Sequence, residues 1–206
     1  MKRTATVAVL TAVTAILTGC SSTAPTTETK KAAPPPEPVT GQQAFQQMYV
    51  QARSWAPDAA PLELHSMNLK TVRSEGGKAG AWRATFVSES HSRMRSYTWS
   101  AIEGEGLHQG VFADQDERWA GPNADMKPFL IAAIRHDSDA AWQVASAKAA
   151  PYLKKHPDVP VTFFLTLSNR YPDLAWRVVF GESVGASDYS VFVDASTGKL
   201  LGELKG

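Results

Sequence analysis

The sequence predicts an α+β protein: a tandem repeat of a helix plus a three-to-four-stranded antiparallel sheet, with the helices packed on one sheet face. Three observations predict it. Apolar spacing switches from a helical period to an alternating one, twice and in the same order. Short alternating segments are separated by clusters of Gly, Pro, Asn and Asp, which favour turns for distinct steric and hydrogen-bonding reasons. Finally, Ala81-Trp82-Arg83 and Phe86 match Ala175-Trp176-Arg177 and Phe180 at a spacing of 94 residues, and Tyr97, Gly106 and Gly110 match Tyr189, Gly198 and Gly202 at 92.

The elements follow in chain order. Thr40-Gly41-Gln42-Gln43 offers a capping box, in which Thr40 and Gln43 satisfy each other's backbone donors. Ala44, Phe45, Met48, Tyr49, Ala52 and Trp55 then form a helical stripe, which Pro57 and Pro61 end. Leu62–Leu69 reads as a strand, Glu75–Gly80 as a turn, and Ala81–Ser88 and Arg95–Ile102 as two alternating strands, with a short fourth at Leu107–Phe112. Met126–Arg135 is apolar and ambiguous; a short helix with Pro128 in its first turn is favoured. Asp137 or Ser138 can cap a helix bearing Ala141, Trp142, Val144, Ala145, Ala149 and Tyr152, and Pro151 should kink or shorten its last turn. Strands are expected at Val161–Ser168, Leu174–Gly181, Tyr189–Asp194 and Leu200–Leu204. Trp82 and Trp176 are read as matching core anchors.

Composition narrows the function. The chain has 206 residues, 43% hydrophobic and 20% charged, the profile of a globular protein with a core. One folded unit is expected at this length, two small ones being the alternative. Removal of a leader carrying Lys2 and Arg3 takes the basic residues from 21 to 19, against 20 acidic ones. With no basic excess, bulk charge cannot draw the protein to nucleic acid. Cys20 is the single cysteine, so there is no intramolecular disulfide and no Cys-based metal site. Stability must come from the core.

The N-terminus carries a targeting pattern. Lys2 and Arg3 precede Ala5–Leu17, an apolar stretch too short to span a bilayer as a helix. Leu17-Thr18-Gly19-Cys20 then resembles the bacterial lipobox. That resemblance implies a signal peptide over residues 1–19, cleavage before Cys20 and acylation of its sulfur, tying the protein to a membrane; two or more acyl chains suffice for stable anchoring. Ser21 following Cys20, by likeness to Gram-negative sorting, implies the outer membrane, facing the periplasm. Residues 20–40, with Pro25, Pro34, Pro35, Pro36 and Pro38 and no aromatic, are expected to be a disordered, semi-extended tether.

Asp188–Gly202 carries a second resemblance. Its run of strand, Asp194-Ala-Ser-Thr-Gly198 turn and strand looks like the end of a PepSY domain. Ser138-Asp139-Ala140-Ala141 opening a helix, and the Trp176 strand, are also similar to that family. The likeness is good over residues 138–204 and weak over 41–112, where Glu105-Gly106 replaces the Thr-Gly turn. It implies a first, diverged PepSY-like unit over residues 41–122 and a second over 123–206. Such domains imply a non-catalytic inhibitory or binding module, with no catalytic residue to carry over.

Other motifs do not assemble a reactive centre. Gly181-Glu182-Ser183-Val184-Gly185 matches G-x-S-x-G, but a strand is expected after it and no histidine follows His156, so it is read as a hairpin turn. His65, His91, His108, His136 and His156 lack metal-ligand spacing. Asp114, Asp116 and Glu117 lack the glycine and closing glutamate of a calcium loop and are read as a solvated acidic loop. His91, Arg93 and Arg95 share a strand face, read as solvated or facing an acidic partner. The sequence therefore predicts no enzyme, cofactor or metal site. It predicts an envelope lipoprotein anchored through Cys20 that binds or inhibits another envelope protein, a peptidase among the candidates. The alternative is a small-ligand binder with an aromatic pocket between helix and sheet.

Overall fold

The capping box forms as the spacing predicts: the Thr40 amide donates to Gln43 Oε1 (3.0 Å) and the Gln43 amide to Thr40 Oγ1 (3.4 Å). In this computed structural model residues 36–205 are described. The expected signal peptide, Cys20 and the expected tether as far as residue 35 lie outside the described residues. Val39 and Thr40 already belong to the ordered body, because β1 (Val39–Thr40) pairs with β3 (Lys78–Ala79).

The remaining elements run α1 (Gly41–Trp55), β2 (Ala60–Met67), β4 (Ala81–Ser88), β5 (Arg93–Ser100), β6 (Gly110–Ala113), β7 (Glu117–Arg118), α2 (Ser138–Lys148), α3 (Ala150–Leu153), β8 (Val161–Thr166), β9 (Ala175–Gly181), β10 (Ser187–Asp194) and β11 (Leu200–Lys205). Asp137 caps α2, accepting from the Ser138 amide. Pro151 cannot donate the next helical hydrogen bond, so the chain breaks at Ala149 and restarts as the single turn α3.

The architecture differs from the expected tandem repeat of helix plus three-to-four-stranded sheet with helices on one face. Strand residues far outnumber helical ones, and one nine-stranded antiparallel sheet spans the described body in the order β11-β10-β9-β8-β2-β4-β5-β6, with β7 also on β5. The join is β2 with β8, through Glu63↔Thr166, Leu64↔Leu165 and His65↔Phe164. Two separate sheets would each leave a long edge of unpaired amides and carbonyls here, and pairing the edges removes that cost.

The core is continuous across the join. Trp82 on β4 and Trp176 on β9 are fully buried and meet edge to face at 6.3 Å. Their indole N–H groups donate to the Val39 and His136 carbonyls, at 3.0 and 2.9 Å. Phe45 and Met48 of α1, Ala141 and Ala145 of α2, and Phe86, Tyr97, Phe163, Leu165, Val178 and Phe180 of the sheet complete one cluster. Gly41 starts α1 because the tryptophans leave no room for more: a Cβ there would lie 2.8 Å from the Trp176 ring and 3.1 Å from that of Trp82.

Two local expectations change. The short helix expected at Met126–Arg135 does not form; only Ile131–Ala133 makes a 3-10 turn, with Pro128 before it. The donors are used elsewhere: the Lys127 amide bonds Leu167 O (3.0 Å) and the Phe129 amide Pro61 O (2.9 Å), so the segment straps across β2 and β8. The strands β1, β3 and β7 have two residues each, too few for alternation to reveal. The Asp194–Gly198 turn does follow its sequence: Asp194 Oδ1 accepts from the Ser196 and Thr197 amides (2.7 and 2.9 Å), and Gly198 takes φ 71° beside a bulge in β10–β11.

Candidate functional site

Because registered neighbours in a sheet share a face, the pairing defines what lies opposite the aromatic core. One continuous line crosses it: Phe112, Thr98, Arg83, His65, Phe164, Arg177, Phe192 and Gly202. Beside it run Ser96, Thr85, Glu63, Thr166, Ala175 and Asp194. The face thus combines cations and aromatics with small hydroxyl residues, unlike the apolar core face.

At the centre, His65 stacks on Phe164 with ring centroids 5.4 Å apart. Its Nδ1 is buried without a hydrogen-bond partner; the nearest carboxylate oxygen, Glu63 Oε1, is 3.8 Å away. Desolvation holds the imidazole pKa below its usual value despite the opposing pull of Glu63, and the Arg83 charge lowers it further. The site thus favours the neutral form of His65.

Arg83 and Arg177 occupy the same Ala-Trp-Arg context on β4 and β9 and project onto this face, but their surroundings differ. Arg83 is ion-paired with Asp114. Arg177 donates through Nε to Ser190 Oγ (3.2 Å), and no carboxylate of the described residues lies within ion-pairing distance of it or of Arg170. Both guanidinium groups instead lie over the Phe192 ring, Arg170 at 4.7 Å and Arg177 at 5.5 Å. Tyr171 tilts against the same ring at 5.2 Å. Burial, then the neighbouring Arg170 charge, lowers the Arg177 pKa. The cleft they line has a volume of about 410 Å³, with Thr166, Ser168, Asn169 and Val184 adding to its walls, and a second cleft has about 440 Å³.

The second cleft lies between α3 and the β10–β11 edge, lined by Lys148, Tyr152, Lys155, Tyr189, Glu203 and Lys205. Its charges are largely used internally: Lys148 and Lys205 pair with Glu203 at 3.6 and 3.0 Å, and the Tyr189 hydroxyl donates to Glu203. It is lined by tyrosines, whereas Trp82, Trp99 and Trp176 are buried in the core.

The motifs singled out in the sequence fall as follows. Ser183 is exposed in the hairpin joining β9 to β10, followed by a 3-10 turn and then a strand. The acidic loop is not simply solvated: Asp114 pairs with Arg83, and Asp116 with Arg93 and Arg95 (3.6 and 3.2 Å). His91 is in the turn before β5, edge-on to Trp55, while Arg95 lies over the Trp55 ring at 5.1 Å. Among the described residues, no three His, Cys, Asp or Glu side chains gather closely enough to hold a metal ion, and no helix is long and apolar enough to cross a membrane. Cys20 lies outside the described residues.

The Arg170–Arg177 cluster was missed by sequence reasoning. The available signal was alternation: with Trp176 inward, Arg177 must face outward. Nothing local reveals that Arg83 finds an internal carboxylate while Arg177 does not. No protein-family model, curated protein or solved structure matches this chain.

Proposed function

We propose that the chain is a lipid-anchored envelope lipoprotein whose PepSY-like body binds or restrains another envelope protein without catalysing a reaction. The observation that carries the binding role is the sheet face opposite the core, where His65, Phe164, Arg177 and Phe192 lie in register and Arg170 joins them over the Phe192 ring, neither arginine pairing with a carboxylate of the described residues. Aromatic and arginine side chains dominate protein interfaces because they combine large desolvated area with directional donors. The lipobox-like Leu17–Cys20 supports the anchoring and the outer-membrane location.

A photocrosslinking amino acid at Phe112, 47% exposed on this face, should trap one specific envelope protein. The same probe at Val50, 64% exposed on α1, should not. Equal or absent crosslinking at the two positions refutes the binding role. For the anchor, Cys20→Ala should leave the membrane fraction; a variant still membrane-held after leader removal refutes acylation.

A further inference from the structure

We infer that the cleft bounded by Arg170, Arg177 and Phe192 is a carboxylate-binding site, through which the protein takes hold of a peptide carboxylate of its partner. This rests on the reading of the face as a protein-binding surface and names the chemistry that the surface recognises.

The charge count is the starting point. Two guanidinium groups converge on one aromatic ring, at 4.7 and 5.5 Å, with no carboxylate within ion-pairing distance among the described residues. Asp125 also borders the cleft but pairs with neither arginine. The Arg170 charge disfavours the charged form of Arg177, and an anion in the cleft that both line relieves that repulsion. Arg177 uses Nε on Ser190, and among the described residues its terminal nitrogens and the guanidinium nitrogens of Arg170 have no hydrogen-bond partner. Arg is the side chain whose planar donor fork fits a carboxylate at two points.

The same face contains an internal precedent. Arg83, in the same Ala-Trp-Arg context, is met by the Asp114 carboxylate, which arrives from the segment after β6. At Arg177 no segment of the described chain supplies the equivalent group. The half-apolar wall favours a carboxylate on an organic body over a bare inorganic anion: Ala124, Ala175, Val184 and the Phe192 ring offer surface a phosphate ion would not use. The volume, about 410 Å³, accommodates a residue or two of a peptide.

The test uses the full chain with ¹⁵N-labelled arginine, following the Nε–H resonances of Arg83, Arg170 and Arg177. The probes are an acetylated tetrapeptide with a free C-terminal leucine, its C-terminal amide, an amide peptide with one internal Glu, and inorganic phosphate. The expected result is a saturable shift at Arg170 and Arg177, not Arg83, with the free-acid peptide, the internal-Glu peptide or both, and none with the plain amide. The two acidic peptides distinguish a chain terminus from an acidic side chain. Arg170→Gln and Arg177→Gln should each weaken binding about tenfold to a hundredfold. Arg170 is exposed, so its variant reports even if Arg177→Gln fails to fold. No shift with either acidic peptide, equal shifts with the plain amide, or phosphate binding as tightly as the peptides overturns the inference. Crosslinking from Phe112 separates the two readings. If it persists undiminished in the Arg170→Gln protein, the face binds its partner without this carboxylate contact and only the inference fails. If the wild type does not crosslink, the wider reading fails, while the peptide titration still judges the site.

Discussion

Replacing Ser138 with Ala should unfold the body far more easily than the loss of one hydroxyl suggests. The Ser138 hydroxyl is fully buried where three segments meet. It accepts from the Gly41 amide at the start of α1 (2.8 Å) and donates to the Gly77 carbonyl before β3 (2.6 Å). Alanine leaves both backbone groups buried and unpaired, at about 1–3 kcal/mol each. Its better helix propensity returns only about 0.5 kcal/mol. The net loss is about 1.5–5.5 kcal/mol, a large share of the roughly 5–15 kcal/mol by which folded proteins are stable. In a body of this size that lowers Tm by about 3–22 °C. Urea unfolding followed by the near-UV circular dichroism of the buried tryptophans measures it. Ser146→Ala is the control: its hydroxyl bonds Gln143 O from an exposed position, and the change should stay within about 0.5 kcal/mol. A Ser138→Ala loss no larger than that of Ser146→Ala would refute the claim that this hydroxyl ties the two helix starts together.

Two further predictions concern pH. Burial, reinforced by the Glu203 hydrogen bond and charge, pushes the Tyr189 pKa up to about 12, so its stabilisation is complete below pH 10 and disappears as pH rises through about 12. Phenolate absorbance should show Tyr189 ionising near 12, and Glu203→Gln should bring it down; an unshifted Tyr189 in the variant contradicts the pairing. His65, whose pKa burial lowers, binds its proton more readily in the unfolded chain. Stability should therefore fall as pH drops from above 6.5 through the folded-state value, and His65→Gln should flatten that window; an unchanged slope contradicts it.

Several features were legible because they depend on near neighbours in the chain. The Thr40–Gln43 box, the break at Pro151 and the Asp194–Gly198 turn each involve groups within a few residues, so local sterics and hydrogen bonding decide them. The alternation placing Trp82 and Trp176 inward is equally local, and both are buried. The expected helix at Met126–Arg135 failed because remote pairing won: the Lys127 and Phe129 amides bond the Leu167 and Pro61 carbonyls and hold the segment against the sheet.

By itself, then, the sequence determined the period of the longer helices and strands, several caps and turns, and the absence of basic excess. It also marked Cys20 as the one thiol, just after an apolar stretch. Only the tertiary structure decided that β2 and β8, about a hundred residues apart, close the gap between two sheets to make one. Only it placed Asp114 on Arg83 and left Arg177 beside Arg170. The physical reason is common to both: periodicity tells a residue which way to face, but the partner it meets is settled by the burial and pairing of the whole chain at once.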